Sequence, residues 1–323
     1  MVDALLSFHL NAGVDFVIAT DHRSEDGTAE ILESYAQAGY LHLIRELGNE
    51  VRGGEWRTRM ARLAASDCGA DWVIGADGDE FWLPRGGSLK DALGSVPQRY
   101  GIVRCLVRSF LPPSGADTSE LFAERMTVRL TPWAAIHDPA SPFRPSAKVA
   151  HRAVPDVFVD RGNHSVNGPG LELLRARFPI EVLHFPMRSP QQLLDKRRTW
   201  HAQLVGRGVA QYERGRDGSR AGAERYYGSM ALRGDDLRRA LDSGSAVVDT
   251  RVRDALRQLR LSSAEGVRRF ALPGELGSGL KLPAPELADD VAHAVDFAQL
   301  VDADAVRLRR RVDVVAARLE GRR

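Results

Sequence analysis

The sequence predicts an α/β protein with a mostly parallel sheet flanked by helices. Three short apolar runs typical of buried strands lie at residues 16–20, 41–44 and 72–76, and segments of helical periodicity separate them. Polar loops rich in Asp and Gly follow the first and third runs. Strands that alternate with helices favour a parallel sheet, which binds its ligands at the carboxyl ends of the strands. Both acidic loops are therefore expected at one edge of the sheet.

The first two strands frame a helix that begins after the loop at 21–28. Ile31, Leu32 and Tyr35 recur at helical spacing, and Gly39 marks the end of this helix. The helix that leads to the third strand carries an apolar stripe formed by Trp56, Met60, Leu63 and Ala64. The predicted order is therefore strand, helix, strand, helix, strand.

The third strand ends at the acidic segment 77–80, which reads Asp-Gly-Asp-Glu. Because alternate residues of an extended segment face the same side, Asp77 and Asp79 can both point at one cation. Carboxylate oxygens are ligands that suit Mg²⁺ and Mn²⁺. A turn that binds nothing is the alternative, since Asp and Gly dominate loops. The strand before the segment and the acidic loop upstream favour the metal site.

Several segments of the chain, in this order, resemble family 2 glycosyltransferases. They are GVDFVI (13–18), DHRSEDGT (21–28), ADGDEF (76–81), FRPSAKVAHR (143–152), GNH (162–164) and EVLHFP (181–186), and they extend over roughly the first two-thirds of the chain. The resemblance implies a GT-A fold, whose sheet binds a nucleotide-diphospho-sugar. It also implies inverting transfer of the sugar to the hydroxyl of a glycan, a lipid-linked acceptor or a small molecule.

The resemblance further implies a metal site for the donor. Asp77, Asp79 and His184 would hold Mn²⁺ or Mg²⁺ against the two phosphates. Cleavage of the sugar builds negative charge on the leaving diphosphate, and a cation at that place stabilises it. For His184, which follows an apolar strand predicted at 180–183, a hydrogen-bonded structural histidine is the alternative.

A set of donor-binding side chains is implied in the same way. Asp21 would contact the nucleoside, and the other candidates are Arg59, Lys148, His164 and Lys196. Lys196 lies about two turns into a predicted helix and could reach a phosphate. For Lys148, a solvated surface lysine is the alternative.

Inverting transfer also needs a general base, usually a carboxylate, to deprotonate the acceptor hydroxyl. The sequence does not single one out. The candidates are Asp138, Asp156, Asp160 and Glu124, of which Asp138 is preferred. Glu80 is a further catalytic candidate. The alternative is that it orients the metal ligands without contacting the metal.

The start of the chain departs from the family pattern. Residues 3–10 are typical of the family's first helix, which normally follows a strand and a loop that contacts the nucleobase. In a three-two-one-four strand order that strand would be central. The sequence therefore predicts an open seam between the strands at 16–20 and 72–76.

Composition predicts a globular protein outside the membrane. The chain is 43% hydrophobic and 27% charged, and it has no apolar run near the roughly 18 residues of a membrane helix. With no secretory signal pattern, a cytoplasmic location is expected, and peripheral membrane contact is the alternative. The two cysteines indicate neither a disulfide framework nor a zinc cluster.

Residues 1–200 are expected to form the GT-A domain, and residues 201–323 an α-helical C-terminal extension. Gly-rich polar stretches at 206–208 and 214–220 predict the boundary. The basic excess in the C-terminal half lacks a nucleic-acid motif, so no nucleic-acid partner is expected. An apolar stripe with heptad spacing, formed by Val301, Ala305, Leu308, Val312, Val315 and Leu319, is predicted to pack on the protein's own core.

Three function classes follow from this pattern. The first is a metal-dependent inverting glycosyltransferase. The second is a nucleotidyltransferase, which can share a nucleotide-binding sheet and paired metal-binding acids. The third is a catalytically inactive glycosyltransferase-like protein that acts by binding, and it is motivated by the strand missing from the family pattern.

Overall fold

A computed structural model describes residues 1–48, 51–113, 121–131, 143, 146–175, 179–205, 219–262, 266–284, 294–296, 298–302, 305–306, 308–310 and 312–313. The described helices are α1 (Val2–Asn11), α2 (Thr28–Gln37), α3 (Gly53–Ser66), α4 (Leu89–Gly94), α5 (Phe122–Arg125), α6 (Pro190–Val205), α7 (Arg220–Met230), α8 (Gly234–Asp242) and α9 (Arg251–Leu259). The described strands are β1 (Val17–Asp21), β2 (Leu41–Arg45), β3 (Trp72–Ile74), β4 (Glu80–Pro84), β5 (Ile102–Ser109), β6 (Val128–Leu130), β7 (Ser146–Arg152), β8 (Phe158–Val159), β9 (Val166–Asn167), β10 (Leu173–Leu174), β11 (Ile180–His184) and β12 (Ala246–Val248).

The larger sheet has the strand order β3-β7-β5-β11-β4, and β10 pairs with β5 beside this path. β5 runs parallel to β11 and β10, whereas the β3–β7, β5–β7 and β4–β11 pairs are antiparallel. The molecule is therefore an α/β protein with a mixed, strongly curled half-barrel sheet flanked by helices.

The expectation of a mostly parallel sheet is wrong for the larger sheet, where two of the described pairings are parallel and three are antiparallel. β1 and β2 are parallel and are joined by α2, as predicted. After β3 the chain continues through the short helices α4 and α5. A parallel pair needs a long crossover, whereas antiparallel strands do not, so the later strands form a mixed sheet.

β1 and β2 form a separate two-stranded sheet. Among the described strands β1 pairs only with β2 and β3 pairs only with β7, so each keeps one unpaired edge. All of β3 and the first four residues of β1 are half-buried. Within the described part of the chain β1 and β3 thus belong to different sheets, and the predicted open seam between them stays a prediction.

The main core lies between the larger sheet and the helices α1 and α9. Four aromatic rings form its centre, at Phe8, Phe81, Phe122 and Phe185, and their neighbouring centroids are 4.9 to 5.8 Å apart. These pairs are tilted or edge-to-face, which is the geometry that aromatic quadrupoles favour. The apolar side of α1 is therefore buried against the strand that follows the acidic turn.

Residues beyond 200 belong to the same core. α9 contributes Val252 and Leu256, and β12 pairs antiparallel with β6. The Ser7 hydroxyl donates to the Ala271 carbonyl at 2.6 Å, which fixes the chain after α9 to α1. The predicted domain boundary near residue 200 stays a prediction, but segments on both sides of it build one core.

A buried carboxylate on β11 organises a network of arginines. Glu181 lies 3.3 Å from Arg85, 2.9 Å from Arg108 and 2.5 Å from Arg251. Arg108 also binds Asp296, which belongs to the helical residues near the C-terminus. The network therefore connects β11 to β5, to α9 and to this C-terminal helical segment.

The described residues between 294 and 313 are helical. Leu300 is fully buried against β5 and β7. The apolar stripe beyond it is not covered, since Val301, Leu308 and Val312 are 42%, 64% and 58% exposed. The expectation that this stripe packs on the protein's own core is therefore wrong for these three residues, because the described side chains after Leu300 face solvent.

No helix among the described residues combines the length and apolar character that a membrane crossing requires.

Candidate functional site

The acidic segment predicted as the metal site lies in the turn between β3 and β4. The Glu80 amide donates to the Asp77 carbonyl at 3.1 Å, and the Asp77 amide donates to Glu80 Oε2 at 3.1 Å. The Phe185 amide donates to the Asp79 carbonyl at 2.9 Å, which attaches the turn to the end of β11. The turn is therefore held by two backbone–backbone hydrogen bonds and by one from the Asp77 amide to the Glu80 side chain.

A buried lysine on β7 joins two of these acids. Lys148 Nζ lies 2.7 Å from Asp77 Oδ2 and 2.9 Å from Glu80 Oε1. The side chains of Lys148 and Glu80 are 5% and 2% exposed, so water screens this contact little. Arg57 of α3 donates to the other Asp77 oxygen at 2.7 Å. Both oxygens of Asp77 therefore bind cationic side chains.

The second aspartate has a different set of partners. Lys196 Nζ of α6 lies 2.9 Å from Asp79 Oδ2, and His184 Nε2 lies 3.5 Å from Asp79 Oδ1. The other ring nitrogen of His184 is 3.2 Å from the Ser109 hydroxyl at the end of β5. This hydrogen bond orients the imidazole toward Asp79.

The surroundings of the turn shift the pKa values of its three carboxyl groups in different directions. Burial alone would raise the pKa of Asp79, but the hydrogen bond to His184 and the charge of Lys196 outweigh it and hold the pKa well below its usual range. Burial opposes Lys148 and Arg57 in the same way at Asp77, whose pKa is also lowered. Burial raises the pKa of Glu80 despite Lys148. Asp77 and Asp79 are therefore the permanent anions of the turn.

The fit of a divalent cation differs between the two aspartates. The described residues hold no group of three or more His, Cys, Asp or Glu side chains arranged for a metal. Asp79 Oδ1 and His184 Nε2 are 3.5 Å apart, close to the separation of about 3 Å between neighbouring ligands of an octahedral cation. Asp77 instead faces Arg57 and Lys148. Asp79 and His184 thus fit a cation that takes its other ligands from substrate and water.

The predicted nucleoside contact lies at the end of β1. Asp21 is 6% exposed, and its Oδ1 has no hydrogen-bond partner within the described part of the chain. A buried acceptor without a donor costs about 1–3 kcal/mol, so this oxygen is suited to a donor group of a ligand. The described contacts do not connect Asp21 to the cluster around Asp77.

Two further donor-binding candidates lie beside the cluster rather than in it. His164 is exposed, and its Nδ1 is 2.8 Å from the carbonyl of Ala147, the neighbour of Lys148. Arg59 is on the opposite side of α3 from Arg57 and pairs with Glu46 at 2.5 Å. Their roles in donor binding stay predictions.

The general base candidates are spread over the molecule. Glu124 pairs with Arg257, Asp160 accepts a hydrogen bond from Ser165, and Asp156 is exposed in a turn after β7. Asp138, the preferred candidate, lies outside the described residues. The assignment of the base therefore stays a prediction.

Sequence reasoning missed Arg57 and Ser109. Arg57 lies on the buried side of α3, because Arg57, Ala61 and Ala64 follow an i, i+4, i+7 pattern and the structure buries both alanines. That pattern turns Arg57 toward the sheet. For Ser109 no local signal existed, since its role depends on the pairing of β5 with β11.

Comparison with known proteins adds no identity: no protein-family model matches the chain, and no curated protein matches it. The geometry of the cluster and the resemblance of the six segments are therefore the basis for a functional proposal.

Proposed function

We propose that this protein is a glycosyltransferase of the family 2-like type. It would transfer a sugar, with inversion, from a nucleotide-diphospho-sugar to an acceptor hydroxyl. The observation that carries this proposal is the cluster in which the acids of the turn between β3 and β4 contact three cationic side chains, those of Arg57, Lys148 and Lys196. A leaving diphosphate needs positive charge that is already in place, and this cluster supplies it.

A GT-A fold is part of the proposal. It is supported by the order β1-α2-β2-α3-β3 and by the acidic turn that follows β3. The unpaired edges of β1 and β3 are the feature that favours the inactive, binding-only alternative. We also propose a cytoplasmic location, with peripheral membrane contact if the acceptor is lipid-linked rather than a glycan or a small molecule.

Asp79 and His184 would hold Mn²⁺ or Mg²⁺. When bound, the cation neutralises negative charge that develops on the leaving diphosphate. Lys196 binds the second oxygen of Asp79, and Ser109 contacts the second nitrogen of His184, so both ligands are oriented before a donor arrives. Two protein ligands leave room for phosphate oxygens and water, as is common for Mg²⁺.

The protein's own cations would act on the same diphosphate. Lys148, Lys196 and Arg57 are each held within 2.9 Å of a carboxylate, so their charges need little reorganisation during the reaction. Both oxygens of Glu80 are engaged, by Lys148 and by the Asp77 amide. Glu80 therefore orients Lys148, and the acceptor proton would go to another carboxylate, for which Asp138 is the candidate.

A single assay distinguishes the three function classes. The purified chain is incubated with Mn²⁺ and each of a panel of nucleotide-sugars, and the products are separated. We expect release of a nucleoside diphosphate with at least one donor. Pyrophosphate chemistry would support a nucleotidyltransferase instead, and binding without any product would support the inactive alternative.

Asp79→Asn is expected to remove the dependence of donor binding on Mn²⁺. Replacing a residue that contacts a metal ligand but not the metal typically costs about 10–100-fold in affinity. The loss for Asp79→Asn should be larger, because Asp79 would be a direct ligand. His184→Ala should act in the same direction. Calorimetric titration of the active donor with and without Mn²⁺ measures both, and Asp67→Asn, an exposed acid after α3, serves as the control. Unchanged Mn²⁺ dependence in Asp79→Asn would refute the assignment.

A further inference from the structure

We propose that Arg57 and Lys148 form a metal-independent anion site for the donor's diphosphate, and that Asp77 serves this site instead of the cation. The inference rests on the proposed function, because it divides the same cluster into two halves. One half is Asp79 with His184 and Lys196, and the other is Asp77 with Arg57 and Lys148.

Both oxygens of Asp77 face cationic side chains. One oxygen is 2.7 Å from Arg57 and the other is 2.7 Å from Lys148. A divalent cation at the same carboxylate would meet two positive charges at short range, in a place that water screens little. At Asp79, Lys196 contacts one oxygen and the charge of Arg188 also acts on the carboxylate, but the other oxygen faces His184, whose neutral form can be a metal ligand. A metal is therefore favoured at Asp79 over Asp77.

Lys148 and Arg57 have more N–H donors than their contacts with the acids use. A lysine ammonium has three N–H donors, and two of those of Lys148 point to Asp77 and Glu80. A guanidinium has five donors in a fixed fork that matches phosphate oxygens, and one of those of Arg57 binds Asp77. Both groups thus keep donors for a further acceptor after the acids have positioned them.

The positions of Arg57 and Lys148 also favour an anion site. The Arg57 side chain is 28% exposed and Asp77 is 32% exposed, so a ligand can reach this half of the cluster. Lys148 lies behind them at 5% exposure, where its charge acts through a low dielectric. The remaining N–H donors of the two cations are therefore open to an anionic ligand from the side of Arg57 and Asp77.

Inorganic pyrophosphate in EDTA is the probe for this site. Isothermal titration of the full chain should detect binding without any metal, and Arg57→Met should weaken it by about 10-fold or more, as expected for a hydrogen bond between charged groups. Lys148→Met should act likewise. Arg45→Met removes an exposed arginine that pairs with Glu33 and should leave the affinity within about twofold. Lys148→Met leaves two acids without their cationic partner. If that variant does not fold for this reason, the result for Arg57→Met decides the test.

Mn²⁺ alone, followed by electron paramagnetic resonance, tests the other half. Asp79→Asn should weaken Mn²⁺ binding by about 10-fold or more, whereas Asp77→Asn should change it by about twofold or less. Equal losses in the two variants would overturn the inference, and so would pyrophosphate binding that needs Mn²⁺ or does not respond to Arg57→Met. The proposed function survives these outcomes if nucleotide-sugars still release a nucleoside diphosphate, so the two failures are distinguishable.

Discussion

Replacing Glu181 by glutamine is expected to lower the free energy of unfolding by about 3–5 kcal/mol, the cost typical of removing one partner from a buried ion pair. Glu181 is 2% exposed and faces three arginines, at 3.3, 2.9 and 2.5 Å. Glutamine keeps the shape of the side chain but loses the charge. The variant then lacks the anion that lies between three guanidinium groups, those of Arg85, Arg108 and Arg251. Desolvated charges of one sign repel strongly.

Urea or guanidinium unfolding of Glu181→Gln against the parent measures this effect. The matched control is Asp235→Asn, which removes the carboxylate of an ion pair with Arg238 whose side chains are about three-quarters exposed, at 75% and 74%. Such a pair contributes about 0–1 kcal/mol. Similar midpoints for the two variants would show that the buried network does not hold β5, β11 and α9 together. A double-mutant cycle with Arg251→Gln isolates the strongest contact.

Stability is also expected to fall as the pH is lowered from about 6.5 to about 4, because His9 is buried in its neutral form. His9 Nδ1 is 2.9 Å from the Leu5 carbonyl, and Nε2 accepts the Trp82 amide at 3.0 Å. The ring therefore carries its proton on Nδ1. A second proton on Nε2 would face the Trp82 N–H, so protonation breaks the bond that attaches α1 to the free edge of β4.

Burial is the largest cause that lowers the pKa of His9, from 6.5 to about 4. Between these values the unfolded chain binds a proton that the folded chain does not, so stability rises with pH in this window and is fully present above about 6.5. At about 1.4 kcal/mol for each pKa unit, the loss on acidification amounts to about 3 kcal/mol.

Unfolding of the parent and His9→Gln at several pH values between 4 and 7 tests this. The parent should lose stability across the window, and His9→Gln should show a much smaller slope because its side chain does not titrate. His42→Gln changes an exposed histidine of β2 and should retain the parent's slope. Identical slopes for the parent and His9→Gln would contradict the role of His9.

The candidate site was predictable where a local pattern carried it. The acidic turn was visible as Asp77 and Asp79 at the end of an apolar strand, and Lys148, His184 and Lys196 were placed near it by the resemblance. The structure brings all five together with Glu80. The choice of Arg59 rather than Arg57 on α3 depended on which face of the helix meets the sheet, and that face is decided by packing.

Sequence alone determined the α/β class, the first strands and helices and the position of the acidic turn, because apolar periodicity and turn residues act over a few neighbouring residues. Tertiary structure alone decided the mixed strand directions, the joining of α9 to the main core and the partner of each carboxylate. Lys148 is 71 residues from Asp77 in the chain, and Lys196 is 117 residues from Asp79. Contacts at such separations depend on how the whole chain buries its apolar surface, so no local pattern assigns Asp77 to Lys148 and Asp79 to Lys196.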